Sequence, residues 1–368
     1  MRVLRVNCNG GDLFDWRFGG LNYRGRTGDF GAWLAPLCQR EGVTALVLFG
    51  ADRPHHRAAI AMARAAEIDV FVLEEGYLRP NSVSLEHWPL GQAWASPASL
   101  EECARRAGAG HADLAQVPIP GYFVPRMVQS IRYWLVSAVL RPLYPHYRSH
   151  RPRHSFFEML AWNRRWARGW RERRDSRRAL TAVAGKRFFL LPLQIDGDAS
   201  LVHRSHFAGM AAAIEAVVAG FVAHAPQGTM LLVKRHPLDP DLDGWRRVTQ
   251  RIAGGDPRIR FIEHGDLDPL LDACAGVVTV NSTVGALALA KGKPVHALGR
   301  ALYAIPGLSD PGPLARFWQE PQAPEPGAYD LFARALWSEC LINAGFHSRA
   351  GLARLAPLAA ARMLGKAA

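Results

Sequence analysis

Residues 190–201 read LLPLQIDGDASL, and this stretch decides how the chain folds. An apolar run ends abruptly in polar side chains, as a strand does where it leaves a sheet. The same rhythm of short apolar run, polar turn and longer helical pattern recurs along the chain and predicts an α/β fold with parallel sheets. The predicted strands are Val3–Val6, Ala45–Phe49, Val70–Leu73, Phe188–Leu193, Met230–Val233, Ile259–Ile262, Val277–Val280 and Val295–Leu298.

Helical patterns separate these strands, and one region interrupts the alternation. Between about residues 120 and 180, the sequence predicts helices rich in arginine and tryptophan. We therefore expect an N-terminal Rossmann-like domain (1–120), a basic helical segment (121–180), a C-terminal Rossmann-like domain (181–310) and C-terminal helices (311–368). The predicted helices outside the basic segment are Gly31–Arg40, Arg57–Glu67, Ser99–Ala107, Ala208–His224, Asp243–Ala253, Gly285–Lys291, Tyr329–Asn343 and Ala350–Met363.

The net charge of +13 is concentrated in the basic segment. Residues 121–180 hold fourteen arginines, no lysine and three acidic residues, which gives that segment a net charge of +11. Positive charge concentrated in one segment indicates an anionic partner: a phospholipid surface, a nucleic acid or an anionic substrate. Because aromatic side chains are interleaved with the arginines, we favour an interfacial membrane anchor over a solvated helix face. These aromatic residues are Tyr133, Trp134, Trp162, Trp166 and Trp170.

Other features predict a cytoplasmic protein that is soluble or peripheral to a membrane. The sequence opens with a strand pattern and not with a secretory signal. No apolar stretch approaches the roughly 20 residues of a membrane-spanning helix. The five cysteines are scattered and include no CxxC pair, so neither a disulfide framework nor a cysteine zinc site is indicated.

Two carboxylates follow the third predicted strand. The stretch 72–86 reads VLEEGYLRPNSVSLE and puts Glu74, Glu75 and Arg79 at a strand end beside a glycine turn. Carboxylates in such a position suit general acid–base chemistry. The alternative is an exposed turn in which the acids pair with Arg79.

The strand Phe188–Leu193 ends in Gln194, Asp196 and Asp198. A carboxylate fixed at a strand end can serve as a nucleophile or a metal ligand, whereas an Asp-Gly turn is the structural alternative. The DGD triplet resembles part of a calcium loop, but the remaining ligands are absent at the required spacing. We therefore predict no metal here.

Two further strand ends offer groups that bind anions. A lysine, an arginine and a histidine follow Met230–Val233 and suit a phosphate or a sugar carboxylate, although a lone histidine is more often structural. After Val277–Val280, an Asn-Ser-Thr run either caps a helix or holds a phosphate at its N-terminus. The sequence has neither a P-loop nor a GxGxxG fingerprint at this position. The candidate residues are Lys234, Arg235, His236, Asn281, Ser282, Thr283 and Gly285.

The stretches NCNGGD (7–12) and NYRG (22–25) offer Gly10 and Gly11 after the first strand. Glycine there allows a ligand to approach the backbone closely, although a plain turn explains it equally well. In open α/β sheets, ligands bind beyond the carboxyl ends of the strands. Five polar groups after predicted strands, spread over two halves, therefore predict a cleft between two Rossmann-like domains, which is the arrangement of a GT-B glycosyltransferase.

Taken together, the motifs resemble one family. NGGD with NYRG, EEGYLRP with Glu86, PLQIDGD, VKRHP and NSTVGALALAKGKPV occur in this order from residue 9 to 295. They resemble bacterial capsular polysaccharide biosynthesis and export proteins of the KpsS/LipB type, relatives of KpsC. The resemblance implies a GT-B-like retaining β-Kdo transferase. It would use CMP-Kdo as donor and phosphatidylglycerol or lyso-phosphatidylglycerol as acceptor, and would build the poly-Kdo linker of a capsular polysaccharide.

The same resemblance implies roles for individual residues. Asp198 matches the nucleophile, Glu74 the glutamate of the E-x-G motif, and His236 the histidine of the HP motif that contacts the nucleotide. Ser282 and Thr283 match phosphate-binding hydroxyls.

The chemistry of retention agrees with these roles. A transferase that retains the anomeric configuration of the sugar needs one carboxylate as nucleophile and another for proton transfer. CMP leaves readily, so Glu74 would act mainly as the base on the acceptor hydroxyl. Lys234, Arg235 or Arg79 would hold the Kdo carboxylate or the CMP phosphate, with no metal or other cofactor. Because relatives often carry Asp where this chain has Glu75, the choice between Glu74 and Glu75 stays open.

The expected partners are CMP-Kdo, the lipid acceptor, the anionic surface of the inner membrane and capsule assembly or export proteins. The protein would lie in the cytoplasm, peripheral to the inner face of the inner membrane. No nucleic acid is expected, because no helix-turn-helix, zinc-finger or RNA-binding signature is present. Two alternatives remain: a GT-B enzyme with another nucleotide-sugar donor, such as an epimerase, and a non-catalytic export component that binds the Kdo glycolipid.

Overall fold

The computed structural model describes residues 2–108, 116–119, 123–148, 155–196, 201–202 and 204–365. The chain forms two compact units, and each contains a sheet. The first unit comprises Met1–Ala95, Ala112–His150 and Leu336–Ala368, and the second comprises Ser96–His111 and Arg151–Ala335. The ranges 121–180 and 311–368 are each divided between the units, because the helices in them pack in different units.

The first unit contains a four-stranded sheet and two short parallel strands, β1 (Val6–Asn7) and β2 (Leu21–Asn22). In the larger sheet, β3 (Ala45–Phe49) and β4 (Asp69–Glu75) are parallel, β5 (Val83–Trp88) is antiparallel to β4, and β11 (Leu341–Ile342) is antiparallel to β5. The helices of this unit are α1 (Gly10–Asp15), α2 (Phe30–Glu41), α3 (Pro54–Ala65), α5 (Phe123–Val139) and α13 (Arg349–Met363).

Strand β4 is apolar on both faces because helices cover both. Val70 and Val72 belong to the core formed with α2 and α3, whereas Phe71 belongs to a second core that includes Leu355 of α13. Side chains alternate between the two faces along a strand. The two consecutive carboxylates that end β4 therefore lie on opposite faces of the sheet.

The second unit is built on five parallel strands, with the spatial order β10-β9-β6-β7-β8. The chain starts at the centre with β6, moves outward through β7 and β8, and returns to the other side of β6 with β9. This is the order of a Rossmann-like half, and its topological switch point lies between β6 and β9. The strands are β6 (Phe188–Pro192), β7 (Met230–Lys234), β8 (Ile259–Ile262), β9 (Gly276–Thr279) and β10 (Val295–Ala297).

Helices cover this parallel sheet. In α7 (Met210–His224), Ile214, Val217 and Phe221 recur at intervals of three and four residues and are buried against Phe189 of β6. Burying each such side chain contributes about 1.5–3 kcal/mol. The other helices of the unit are α4 (Leu100–Ala107), α6 (Ser155–Val183), α8 (Trp245–Ile252), α9 (Leu267–Ala273), α10 (Thr283–Ala290) and α11 (Leu314–Phe317), and α12 (Ala328–Glu339) crosses the boundary between the units.

The α/β fold class predicted from the sequence is confirmed. Seven of the eight predicted strands are present within two residues of their expected bounds, while Val3–Val6 overlaps β1 only at Val6. The predicted helix Tyr329–Asn343 is wrong at its end, because α12 stops at Glu339 and the chain continues as β11, paired with β5. Among the other elements, β2, β5, α1, α9 and α11 were not predicted from the sequence.

Candidate active site

The carboxyl ends of β6 and β9 are joined at the switch point by an amide pair. The Gln194 side chain donates through Nε2 to Asn281 Oδ1 over 2.8 Å, and the Asn281 backbone N–H donates to Gln194 Oε1 over 3.1 Å. Gln194 is buried, so the pair fixes the start of the loops that follow both strands. The structure thus brings together two residues that the sequence placed at separate strand ends.

The loop after β9 leads directly into α10. Ser282 caps this helix, because its Oγ accepts the Val284 backbone N–H over 3.2 Å. Thr283 is the first residue of the helix. A side chain at Gly285 would collide with the hydroxyl of Tyr303, which itself donates to the Ser282 carbonyl over 2.6 Å. Packing therefore explains Gly285 and capping explains Ser282, while the helix N-terminus still offers backbone N–H groups to an anion.

Lys234 ends β7, next to β6, and is buried with 8% of its surface exposed. It lies on the opposite face of the strand from Val233, whose side chain belongs to the core with α7. Within the part of the chain that the structure describes, its ammonium group has no hydrogen bond or ion pair. Burial and the charges of Arg235 and Arg165 lower the pKa of Lys234. A buried cation of this kind is suited to receive an anionic ligand.

Arg235 has a different environment, although it is the next residue. Its guanidinium is 1% exposed, donates through Nη2 to Glu172 Oε2 over 2.8 Å, and lies 3.2 Å from Asp241 Oδ2. Nearby, Arg165 of α6 donates to the backbone carbonyls of Pro237 and Asp239. These contacts give Arg235 a structural role, and a substrate contact at this residue stays a prediction.

His236 is oriented by its own loop. The Leu238 backbone N–H donates to His236 Nδ1 over 3.1 Å. Because Nδ1 accepts this bond, the proton of the neutral ring lies on Nε2. Nε2 is thus the donor atom of the neutral ring, and a contact between His236 and the nucleotide stays a prediction.

Of the two aspartates after β6, only Asp196 lies in the described part of the chain. Asp196 accepts the Met210 backbone N–H over 2.9 Å and so stabilises the start of α7. Asp198 belongs to residues 197–200, which lie outside the described part of the chain. Its assignment as nucleophile stays a prediction.

In the first unit, the two carboxylates of β4 have separate surroundings. Glu74 Oε1 accepts the Ala51 backbone N–H over 3.1 Å, in the loop that follows β3. Glu75, on the other face, lies 3.1 Å from both Arg126 Nη1 and His347 Nε2. Glu75 thus forms an ion pair with Arg126 of α5 and contacts His347 in the loop before α13. The choice between Glu74 and Glu75 as the working carboxylate stays a prediction.

Glu75 also lines a small pocket together with Arg79 and His347. Arg79 is exposed and donates through Nε to the Gly76 carbonyl over 3.2 Å, so its guanidinium stays at the surface. Neither Arg126 nor His347 was predicted from the sequence. No local signal could have shown them, because both are far from Glu75 in the chain.

Gly10 and Gly11 open helix α1, which Asn9 caps. A side chain at Gly10 would collide with Leu140, and one at Gly11 with Tyr133. The close approach that these glycines allow is therefore to α5 and the residue after it, and helix packing explains them. A ligand contact at either glycine stays a prediction.

Among the described residues, no group of three or more His, Cys, Asp or Glu side chains is placed to hold a metal ion. The groups that the structure does place at the carboxyl edge of the second unit are a buried lysine, a histidine donor and a helix N-terminus. Groups of these kinds can bind anions, and here they follow the strands of a Rossmann-like sheet.

The chain belongs to the capsule polysaccharide biosynthesis protein family, whose profile matches residues 44–347. It is 28% identical over 358 residues to the capsule polysaccharide export protein KpsS of Escherichia coli, a match that covers 94% of this chain and 90% of that protein. It is 29% identical over 331 residues to the capsule polysaccharide modification protein LipB of Neisseria meningitidis serogroup A, a match that covers 87% of this chain and 78% of that protein. The family resemblance inferred from the motifs is thereby confirmed.

The solved structures that resemble this chain are less similar to it in sequence than these two relatives are. KpsC of Thermosulfurimonas dismutans, a β-Kdo 2,7 transferase, is similar with a TM-score of 0.46 and 18% identity, over 88% of this chain and 85% of that one. MnaA of S. aureus, solved with UDP, is similar with a TM-score of 0.32 and 12% identity, over 89% and 80% of the two chains. At these TM-scores, nothing about the chemistry of this chain follows from either structure.

Proposed function

We propose that the protein is a retaining glycosyltransferase that moves Kdo from CMP-Kdo to phosphatidylglycerol or lyso-phosphatidylglycerol, and so builds the linker of a capsular polysaccharide. The observation that carries the proposal is the anion-binding edge of the second unit. There, buried Lys234 lies one strand away from the switch point marked by Gln194 and Asn281. CMP-Kdo presents two anions, a phosphate and a sugar carboxylate, and both need such groups.

The donor half of the reaction would use residues of this edge. Lys234 would pair with one of the two anions, and His236 would donate from Nε2 to a phosphate oxygen. The backbone N–H groups at the start of α10, beside Ser282 and Thr283, would bind the same phosphate. These contacts stabilise the negative charge of CMP as it leaves, which lowers the barrier without a metal ion.

Retention would proceed in two displacements. The Asp198 carboxylate attacks the anomeric carbon of Kdo, and the bond to the CMP phosphate breaks with its electron pair on the phosphate oxygen. The acceptor hydroxyl then attacks the same carbon, releases the Asp198 carboxylate and gives up its proton. Glu74 is the base for this proton in our proposal, as its match to the glutamate of the E-x-G motif implies.

The proposed acceptor also implies a location for the protein. A phospholipid acceptor would bring the protein to a membrane surface, and we place it at the inner face of the inner membrane, with capsule assembly or export proteins as further partners. Among the described residues, no helix is both long and apolar enough to cross a bilayer.

A transfer assay tests the proposal. CMP-Kdo is generated in situ, a fluorescent lyso-phosphatidylglycerol serves as acceptor, and wild type is compared with Asp198→Ala. We expect product with wild type, none with the variant, and CMP binding by both. Equal product from both would remove Asp198 as the nucleophile.

Two other outcomes separate the alternatives. Absence of CMP binding by wild type would overturn the donor, and binding of a UDP-sugar in its place would favour another GT-B activity. If Asp198→Ala supports capsule export in cells as well as wild type does, the protein acts as a non-catalytic export component.

A further inference from the structure

Helix α6 is fastened to the second unit along one face. From residue 169 onward, its buried positions recur at intervals of three and four residues: Gly169, Glu172, Ser176, Ala179 and Val183. This is the spacing of a single helix face. Glu172 pairs with Arg235, and the Ser176 hydroxyl accepts the backbone N–H groups of residues 263 and 264. The rest of the helix surface consequently faces away from the sheet.

Three tryptophans lie on that outward surface. Trp162, Trp166 and Trp170 follow one another at intervals of four residues, which puts them in one stripe along the helix. Trp166 is 85% exposed and Trp170 is 67% exposed. Arg165 lies over the ring of Trp162, and Arg174 lies over the ring of Trp170. Large aromatic side chains so exposed mark an interaction surface.

The charge around the stripe has one sign. Seven exposed arginines lie between residues 164 and 178. Of the acidic side chains between residues 160 and 183, Glu172 faces inward and Asp175 is partly buried beside Arg174. We call this surface, the exposed side chains of α6 from Trp162 to Arg178, the Trp/Arg face.

We propose that the Trp/Arg face of α6 binds the surface of an anionic phospholipid bilayer, with the tryptophans at the interface and the arginines on the lipid phosphates. Charge complementarity favours this partner, because the exposed charges of the face are all positive and the phosphates of such a bilayer are negative. The indole rings beside these charges suit the apolar part of the same interface. Tryptophan prefers the boundary between head groups and acyl chains, and arginine forms bidentate bonds with phosphate. A helix of 29 residues extends about 43 Å, so it can lie along the surface.

Vesicle co-sedimentation of the full chain tests this proposal. The vesicles contain phosphatidylcholine alone or phosphatidylcholine with phosphatidylglycerol. We expect wild type to bind the anionic vesicles and Trp166→Ala/Trp170→Ala to bind at least about tenfold more weakly. Arg173→Gln/Arg177→Gln should also weaken binding, and added salt should reduce the difference from wild type because it screens the phosphates. Intrinsic tryptophan fluorescence should shift to the blue with wild type and much less with the tryptophan variant.

A matched control has the same change of charge elsewhere in this unit. Arg247→Gln/Arg251→Gln removes two exposed arginines from α8 and should leave vesicle binding unchanged. A loss equal to that of Arg173→Gln/Arg177→Gln would mean that net charge alone acts, and would overturn the assignment of the face.

Other results would also overturn the proposal. One is wild-type binding that is equal on both kinds of vesicle. Another is loss of binding only on substitution of the exposed apolar residues Leu135 and Val139 of α5 by serine. A third is binding of single-stranded RNA through the same tryptophans and arginines without binding of vesicles. The assay uses neither donor nor acceptor, and CMP binding by each variant is measured separately, so its failure is distinct from failure of the transferase proposal.

Discussion

The carboxylate of Glu172 on α6 lies 2.8 Å from the guanidinium of Arg235 at the end of β7, and both side chains are buried. Asp241 lies on the other side of the same guanidinium, at 3.2 Å. The most basic helix of the protein is thus held to the candidate donor edge by an acidic residue. Since Lys234 and His236 flank Arg235 in the chain, this pair also fixes the loop that carries them.

Removing Glu172 should destabilise the second unit strongly. Glu172→Ala leaves Arg235 buried with one fewer counter-charge, and breaking a buried pair from one side typically costs about 3–5 kcal/mol. We expect a loss of about 3 kcal/mol in the free energy of unfolding, measured by urea denaturation. Asp175→Ala is the control on the same helix, because its partner Arg174 is 3.8 Å away at the surface and such pairs contribute less than about 1 kcal/mol. Similar losses for the two variants would contradict the buried pair.

Lys234→Met should change ligand binding and stability in opposite directions. A charge-assisted hydrogen bond contributes about 1.5–3 kcal/mol, so the variant should bind CMP roughly 10- to 100-fold more weakly in calorimetry. Burial lowers the pKa of Lys234, so the folded state disfavours the charged form. Wild type therefore gains stability as the pH rises from this lowered pKa up to the ordinary value of 10.5. At neutral pH the ligand-free variant should unfold at a higher temperature than wild type.

The exposed Lys186 supplies the control for that experiment. Lys186→Met makes the same change of side chain and charge away from the carboxyl ends of the strands, and should alter neither CMP affinity nor the unfolding temperature appreciably. If Lys234→Met binds CMP as tightly as Lys186→Met, then Lys234 does not contact the nucleotide.

The sequence could predict those parts of the site that depend on strand direction. Gln194 and Asn281 were both candidates because each follows a strand, and parallel strands bring their carboxyl ends to one edge. The capping role of Ser282 was likewise readable from residue type. These inferences need only local pattern and the geometry of a parallel sheet.

Contacts between distant residues could not be predicted in this way. His347 meets Glu75 across 272 positions, and nothing near either residue indicates the other. Strand β5 was missed for a related reason: its buried Glu86 looks unsuited to a core until Trp88 Nε1 and the Tyr77 hydroxyl are seen to donate to it.

His56 should contribute to the loss of stability in acid. Its Nδ1 lies 2.6 Å from the Gly50 carbonyl oxygen, and burial lowers the pKa of His56 from 6.5 to about 4. Between these two pH values, the imidazole of His56 is protonated in the unfolded chain and neutral in the folded chain. Stability from this group is therefore complete above about pH 6.5 and is lost as the pH falls towards about 4, by roughly 2–3 kcal/mol. Urea midpoints across this range measure the slope.

His56→Asn provides the comparison, because its side-chain amide can still donate to the Gly50 carbonyl but does not titrate. The variant should show a shallower fall in stability over the same range of pH. An identical slope in wild type and variant would show that other groups, such as His55, whose pKa burial also lowers, account for the acid sensitivity.

Glu74→Gln and Glu75→Gln should separate catalysis from folding, because the two side chains lie on opposite faces of β4. Glu74→Gln keeps the acceptor for the Ala51 N–H but cannot take a proton, so transfer should fall by about 10²- to 10⁴-fold with unfolding unchanged. Glu75→Gln removes the charge between Arg126 and His347, and should lower the free energy of unfolding by about 1 kcal/mol while transfer persists. The transfer assay and urea denaturation measure both effects in the same preparations. A variant at Glu75 that folds normally but cannot transfer would reverse the two assignments and make Glu75 the base.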